Sequence, residues 1–288
     1  MTQAQTTPAA LLRSQALWPN KGLGQHFLAD LSYAQRIVDT AQLSAEDHVV
    51  EIGAGLGSLT VPICQQTQQV WCIEYDTRLL PILRQQCGAV QPHIIHTDAL
   101  QFDFIELSQR IGAPLRILAN LPYNISTPLL IRMVEQRAVI RDMTLMFQQE
   151  VADRITASPG SKAYGTLSIF CQMWCATAQL MTIAPQAFHP PPKVFSAVVR
   201  LVPRAMPLHP INHEAHFRAI VRAAFGQRRK MLRNALLPLT TDTAQTPLAG
   251  LDRAGIDPNR RGETLTPEEF AHLANHFFTS SPRASAPQ

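Results

Sequence analysis

Between residues 30 and about 203, short apolar runs alternate with segments of helical period, and this alternation leaves few folds open. Runs rich in Val, Ile and Leu occupy 48–52, 70–74, 93–97, 115–119, 143–148, 176–183 and 196–202. They are short, bounded by turn formers, and read as strands. Helical spacing of apolar residues marks 30–42, 58–67, 77–87, 126–138, 148–157 and 165–175. Strands separated by helices cannot pair as hairpins, so the expected fold is α/β, a parallel sheet wound on both faces. The last two strands follow one another around a proline-rich loop, which predicts an antiparallel end to that sheet.

After Pro203-Arg204-Ala205-Met206-Pro207 the strand pattern stops. Only helical segments follow, near 213–225, 228–237, 244–254 and 267–278, the last opened by the capping sequence Thr266-Pro267-Glu268-Glu269. A sheet domain over 19–205 and a small all-helical domain over 206–278 are therefore expected. Residues 1–18 and 279–288, rich in Gln, Thr, Ala, Ser and Pro, read as flexible tails.

Charge is distributed unevenly. The chain carries a net +4, but residues 200–261 hold eleven Lys and Arg against four Asp and Glu, a local +7. Such a segment fits a polyanionic partner such as nucleic acid, and equally fits a solvated helix face. No apolar run reaches the roughly 18 residues of a membrane span. The first twenty residues lack the basic stretch and apolar core of a secretory signal. Cys64, Cys72, Cys87, Cys171 and Cys175 show no pairing pattern and are expected to be reduced thiols of a cytoplasmic protein. His209, His213 and His216 lack carboxylate or thiolate neighbours, so no metal site is expected there.

Four successive strands end in polar or glycine residues. The first runs into Gly53-Ala54-Gly55-Leu56-Gly57, where missing Cβ atoms let backbone approach a ligand. This spacing is not the Gly-x-Gly-x-x-Gly of dinucleotide binders, and Glu51 is foreign to that fingerprint. The second strand ends in Glu74, a carboxylate suited to ribose hydroxyls; the third ends at Asp98, which can accept from an adenine amine. The fourth closes with Asn120-Leu121-Pro122-Tyr123. The Asn oxygen and a following backbone carbonyl can accept hydrogens of an exocyclic NH2, Pro122 stiffens the backbone that aims them, and Tyr123 offers a stacking face. Each feature alone is an ordinary strand-end turn former. Together, in order and at one sheet edge, they describe a nucleoside-type site.

This arrangement resembles the class I S-adenosylmethionine-dependent methyltransferases, and the Asn-Leu-Pro-Tyr tetrad looks like the motif of adenine-N6 methyltransferases. More narrowly, Lys21 to Leu28 is similar to the N-terminal cofactor loop of the rRNA adenine dimethylase family. Asn120 to Pro128, Gln148 to Arg154, Ser161 to Gly165 and Phe188 to Val194 match further family segments, so the similarity covers roughly residues 20–275. His26 departs from it, since many members carry Asn there.

The resemblance implies a Rossmann-like class I methyltransferase sheet of seven strands, the last pair antiparallel, with a small all-helical C-terminal domain. It implies S-adenosyl-L-methionine as methyl donor, S-adenosyl-L-homocysteine as product and no metal. The implied substrate is N6 of two adjacent adenosines in a 3′-terminal hairpin of 16S rRNA, within a pre-assembled small subunit, and the chain would act as a monomer. Position by position, His26, Leu28, Gly53, Glu74, Asp98 and Asn120 would line the cofactor site. Asn120, Leu121, Pro122 and Tyr123 would face the target base, with Phe188 as a second aromatic wall. Lys193, Arg222, Arg228, Arg229, Lys230 and Arg233 are the candidate RNA contacts. A large-subunit methylase of the macrolide-resistance type shares the core and tetrad but is usually more basic, and the 188–194 loop favours the small-subunit group. A binding protein that has lost catalysis would not be expected to keep Glu74, Asp98 and the whole tetrad.

Overall fold

A computed structural model describes residues 7–240 and 246–278. These form two compact units: one of the described residues up to Ala152 with Ala176–Pro203, the other of Asp153–Cys175 with those from Arg204 onward. The chain begins with α1 (Pro8–Ser14), β1 (Phe27–Leu28), α2 (Leu31–Ala41), β2 (His48–Ile52), α3 (Thr60–Cys64) and β3 (Val70–Glu74). It continues through α4 (Leu80–Cys87), β4 (His93–His96), α5 (Phe104–Ile111), β5 (Leu115–Asn120), α6 (Ser126–Glu135) and β6 (Ile140–Gln148). Then come α7 (Gln149–Thr156), α8 (Thr166–Trp174), β7 (Cys175–Ile183), β8 (Phe188–His189) and β9 (Ser196–Pro203). The main sheet runs β4-β3-β2-β5-β6-β9-β7.

Register explains why distant residues share one edge. β2 pairs in parallel with β3 and β5, setting Ile52 beside Ile73 and Ala119. The next residues, Gly53, Glu74 and Asn120, therefore reach the carboxyl edge together, and the pairing of Glu74 with His96 puts Asp98 two residues beyond. β9 enters antiparallel to β6, so its first residue, Ser196, lies opposite Gln148 at the edge where the parallel strands end. The expected antiparallel end is present, with β9 lying between β6 and β7.

Near the opposite edge a buried ion network ties the strands together. Arg116 on β5, 3% exposed, donates to both oxygens of Asp142 at 2.8 Å and to Asp47 Oδ2 at 2.6 Å. It also donates to the Ala41 and Gln42 carbonyls. Burial alone would raise the Asp47 pKa, but the Ser44 N–H and the Arg116 guanidinium outweigh it and hold the carboxyl below its usual value.

Several segments differ from the sequence expectation: β1 and β8 pair as a separate two-stranded sheet, and the helix expected over 228–237 is confined to Leu232–Ala235. α5 lies in a stretch with no expected element, although its signals are local: Asp103 caps the Ile105 and Glu106 N–H groups, Phe104 and Leu107 are buried, and Gly112 ends it with φ +77°. Residues 8–14 form a helix where a tail is expected, because Leu12 packs with Phe27, Leu56, Leu79 and Ile82. The expected tail 279–288 lies outside the described residues.

The second unit holds α9 (Glu214–Gly226), α10 (Leu232–Ala235), α11 (Pro247–Arg253) and α12 (Pro267–Phe277). Thr266 and Glu269 form the expected capping box of α12. Gly250 packs so closely under Phe277 that no Cβ fits. Asp153–Cys175 groups with these helices rather than with the sheet, since the Tyr164 hydroxyl donates to the Leu265 carbonyl at 2.9 Å and the Gly160 N–H to that of Glu263 at 2.8 Å. Among the described residues, no disulfide joins any of the five cysteines. Among the described residues, no helix is long and apolar enough to cross a membrane.

Candidate active site

The glycine turn after β2 opens a cavity of about 310 Å³ at the carboxyl edge. Gly53, Gly55 and Gly57 have φ of +72°, +55° and +87°, conformations that L side chains rarely adopt. A Cβ at Gly55 would stand 3.2 Å from the Phe27 ring, which would have to shift to admit it. The Gly55 N–H donates to Glu74 Oε2 at 2.8 Å and the Asp76 N–H to Oε1 at 2.7 Å. The glycine turn and the end of β3 thus hold one carboxylate in place. Burial raises the Glu74 pKa, and these two backbone donors oppose the rise. Asp98 Oδ1 accepts the Leu100 N–H at 2.9 Å, which fixes the carboxylate at the end of β4.

His26, Leu28, Gly53, Glu74, Asp98 and Asn120, the six residues singled out for a cofactor, all line this cavity. So does Glu51, which the sequence offered only as a departure from a dinucleotide fingerprint. Its carboxyl is 2% exposed and accepts from Thr60 Oγ1 at 2.6 Å, with the Cys72 thiol donating to the same oxygen. Burial pushes its pKa up to about 8. The lining suits a nucleoside carrying a cationic tail: carboxylates at two strand ends, a glycine cradle, and apolar Leu28 and Ile73 between them.

The tetrad adjoins the cavity in one fixed pose. Asn120 Nδ2 donates one of its two hydrogens to the His26 carbonyl at 3.0 Å, which fixes the amide with its oxygen facing the other way. The Pro122 carbonyl accepts the Ile125 N–H at 3.1 Å, and the Tyr123 carbonyl accepts the Ser126 hydroxyl, closing the turn into α6. The Tyr123 ring stacks against the His26 imidazole, centroids 5.5 Å apart and planes inclined by 28°. Its hydroxyl lies 2.6 Å from Ser196 Oγ, and burial raises the phenol pKa. His26 Nδ1 lies 2.7 Å from the Pro190 carbonyl. A carbonyl only accepts, so Nδ1 carries the hydrogen.

Phe188 is not among the residues lining the cavity. Its backbone pairs with Leu28, and its ring, 4% exposed, is buried in the core with Ile183, Ala187 and Leu28. The ring beside Tyr123 is that of His26. Ser196 was not foreseen, because no local pattern marks a serine 73 residues away from the tyrosine it meets.

The basic candidates divide. Lys193, Arg222, Arg229, Lys230 and Arg233 are exposed. Arg228 is engaged internally, its Nε donating to Glu263 at 2.7 Å and a terminal nitrogen to the Lys162 carbonyl at 2.9 Å. Arg233 donates to Asn259 Oδ1 at 2.7 Å.

A glycine turn after β2, polar ends to three neighbouring strands on the same edge, and an antiparallel strand inserted beside the last define the Rossmann-like architecture of class I methyltransferases. The sequence matches the family described as ribosomal RNA adenine dimethylase over residues 18–278, and the chain belongs to that family. It is 46% identical over 266 residues to the ribosomal RNA small subunit methyltransferase A of Magnetococcus marinus, covering 92% of this chain and 94% of that one. With the protein of the same description from Chromohalobacter salexigens it shares 44% identity over 274 residues, 94% of this chain and 95% of the other. A crystal structure of the 23S rRNA methyltransferase ErmE matches with a TM-score of 0.67 at 25% identity, covering 87% of this chain and 99% of that one. A dimethyladenosine transferase from Plasmodium falciparum shares the fold with a TM-score of 0.72 at 24% identity, covering 86% and 96%.

Proposed function

We propose that this protein transfers methyl groups from S-adenosylmethionine to N6 of two adjacent adenosines in a 3′-terminal hairpin of 16S rRNA, dimethylating each during small-subunit biogenesis in the cytoplasm. The observation that carries this reading is the pose of Asn120, whose nitrogen is held by the His26 carbonyl so that its oxygen is left to accept from an amine. The relatives at 44–46% identity are named for the small-subunit RNA, which favours that substrate over the large-subunit RNA of ErmE.

An adenine amine is a weak nucleophile because its lone pair is delocalised into the ring. Asn120 Oδ1 and the Leu121 carbonyl accept its two hydrogens, pyramidalise the nitrogen and turn its lone pair out of conjugation toward the cavity. The Pro122 carbonyl is engaged by Ile125, which leaves that of Leu121 as the second acceptor. His26 backs one face of the Tyr123 ring, so the target base stacks on the other. Glu74 accepts from ribose hydroxyls, and Asp98, with Oδ1 held by Leu100, turns Oδ2 to the cofactor's adenine amine. When bound, S-adenosylmethionine supplies an electrophilic methyl group on a sulfonium and leaves as neutral S-adenosylhomocysteine. No strong base is required of the protein, since the attacked nitrogen becomes cationic and sheds its proton readily. Catalysis is positioning plus preorganised dipoles. A monomethylated amine keeps one N–H and a lone pair, so in a second transfer a single acceptor holds the remaining hydrogen and the lone pair again faces the methyl donor. The adenosine must leave its stack to enter; exposed Lys193 in the first unit, and separately Arg222, Arg229, Lys230 and Arg233 in the second, offer charge for RNA phosphates.

The test is incorporation of radiolabelled methyl groups into small-subunit particles lacking these modifications. The parent should label 16S rRNA, while Asn120→Ala should abolish labelling and keep cofactor affinity. No labelling by the parent would overturn the proposal.

A further inference from the structure

The loop from Pro190 to Ser196 is fastened at both ends to the rings of the base slot, yet its apex is open to solvent. The Pro190 carbonyl holds the His26 imidazole at 2.7 Å, and Ser196 Oγ holds the Tyr123 hydroxyl at 2.6 Å. Between them Lys193 is exposed, Val194 is 43% exposed and Phe195 is 52% exposed. An aromatic ring left that open is out of place in a core-forming role. Its main chain, in contrast, is anchored, since the Phe195 carbonyl accepts the Gln149 N–H at 2.9 Å. Pro190, Pro191 and Pro192 further restrict the loop. A pinned backbone presenting an exposed ring is the form of a binding platform, because little conformational freedom is lost when something docks on it.

Phe195 directly precedes Ser196, and neighbours in extended chain project to opposite sides. Ser196 turns inward to Tyr123, so Phe195 faces out at the mouth of the same slot. A nucleotide adjacent to one flipped into the slot must pass that mouth, unstacked and with a bare base face. We propose that Phe195 is a stacking platform for the nucleotide flanking the target adenosine, with Lys193 on its phosphate, making 193–195 a single-stranded RNA contact. This rests on the proposed function and adds a specificity-determining residue to it. Aromatic rings paired with cations are the usual means by which proteins hold unstacked bases, and any base offers a face, so the contact selects an open strand rather than a sequence.

The experiment compares full-length parent, Phe195→Ala, Phe195→Leu and Phe195→Trp in steady-state methylation of unmodified small-subunit particles, with S-adenosylmethionine affinity measured separately. Loss of one base stack should raise KM for the particle about tenfold in the Ala and Leu variants, with kcat within about twofold. Trp should restore the parental KM, and cofactor affinity should be the same in all four. An unchanged KM in Phe195→Ala, with an active parent, would overturn the proposal. Parental KM in Phe195→Leu would also overturn it, since any apolar group would then serve, as expected for a protein surface. Lost cofactor affinity in Phe195→Ala would make the ring structural, again against the proposal. An inactive parent would instead remove the functional reading itself.

Discussion

Glu51→Gln should make the pH dependence of stability flatter, by an amount the site fixes. The carboxyl is 2% exposed and its pKa is pushed from 4.5 to about 8 by burial. The folded state therefore holds its proton more tightly than the unfolded chain does. The group's contribution is fully present below about 4.5 and is lost as pH rises toward 8. Within that window the slope is about 1.4 kcal/mol per pH unit, so between pH 6 and 8.5 this one group should cost the parent roughly 2–3 kcal/mol. Glutamine copies the shape of the protonated acid, and its oxygen can keep the bond from Thr60 now seen at 2.6 Å. Guanidinium unfolding of both proteins at pH 6 and 8.5 provides the measurement, and the difference between them cancels every other titrating group. The parent should lose roughly 2–3 kcal/mol more than the variant over that interval. Parallel profiles would refute the reasoning, because they would mean that Glu51 ionises in the folded protein as freely as in the unfolded one.

Arg116→Ala should lower unfolding free energy by about 3–5 kcal/mol, since Asp47 and Asp142 would stay buried without their main partner; a drop under about 1 kcal/mol would show that Arg141 and Arg200 suffice. Tyr123→Phe removes only the bond to Ser196 and should keep kcat/KM within about tenfold of the parent, whereas Tyr123→Ala should fall about a hundredfold with the stacking face gone. Equal effects in the two would place the tyrosine's role in its hydroxyl. Joint replacement of Arg229, Lys230 and Arg233 by Ala should weaken RNA binding and flatten its dependence on log salt by about 0.7–0.9 for each phosphate no longer neutralised. Arg228→Ala should lower thermal stability through Glu263 and leave that slope unchanged.

What the sequence disclosed and what it withheld divide along locality. All seven strands of the main sheet were legible, the inner ones because fully buried strands are dense in β-branched and apolar residues, as Val70–Glu74 is, and the more exposed edge strands β4 and β7 as short runs holding β-branched residues. The cofactor-side candidates were legible too, since Gly53, Glu74, Asp98 and Asn120 each sit at a strand end and parallel register carries all strand ends to one edge. α5 is equally local, and its signals are the caps, Asp103 before it and Gly112 after it, together with buried Phe104 and Leu107. Withheld was anything decided by side chains distant in sequence. His26 meets Pro190, Tyr123 meets Ser196, and Phe188 turns into the core because its strand pairs with Leu28. The same holds for charge: Arg228 counts toward a basic segment, and only the fold reveals that Glu263 neutralises it. The grouping of Asp153–Cys175 with the C-terminal helices has a similar origin, in the bond from Tyr164 to Leu265.

The central claim, that Asn120 directs an adenine amine of the small-subunit RNA toward a methyl donor, is tested most directly by mass spectrometry of 16S rRNA from a strain lacking this gene. Two adjacent N6,N6-dimethyladenosines near the 3′ end should be absent, should return when the parent gene is restored, and should not return with Asn120→Ala. Their persistence in the deletion strain, or their return with the alanine variant, would contradict the account.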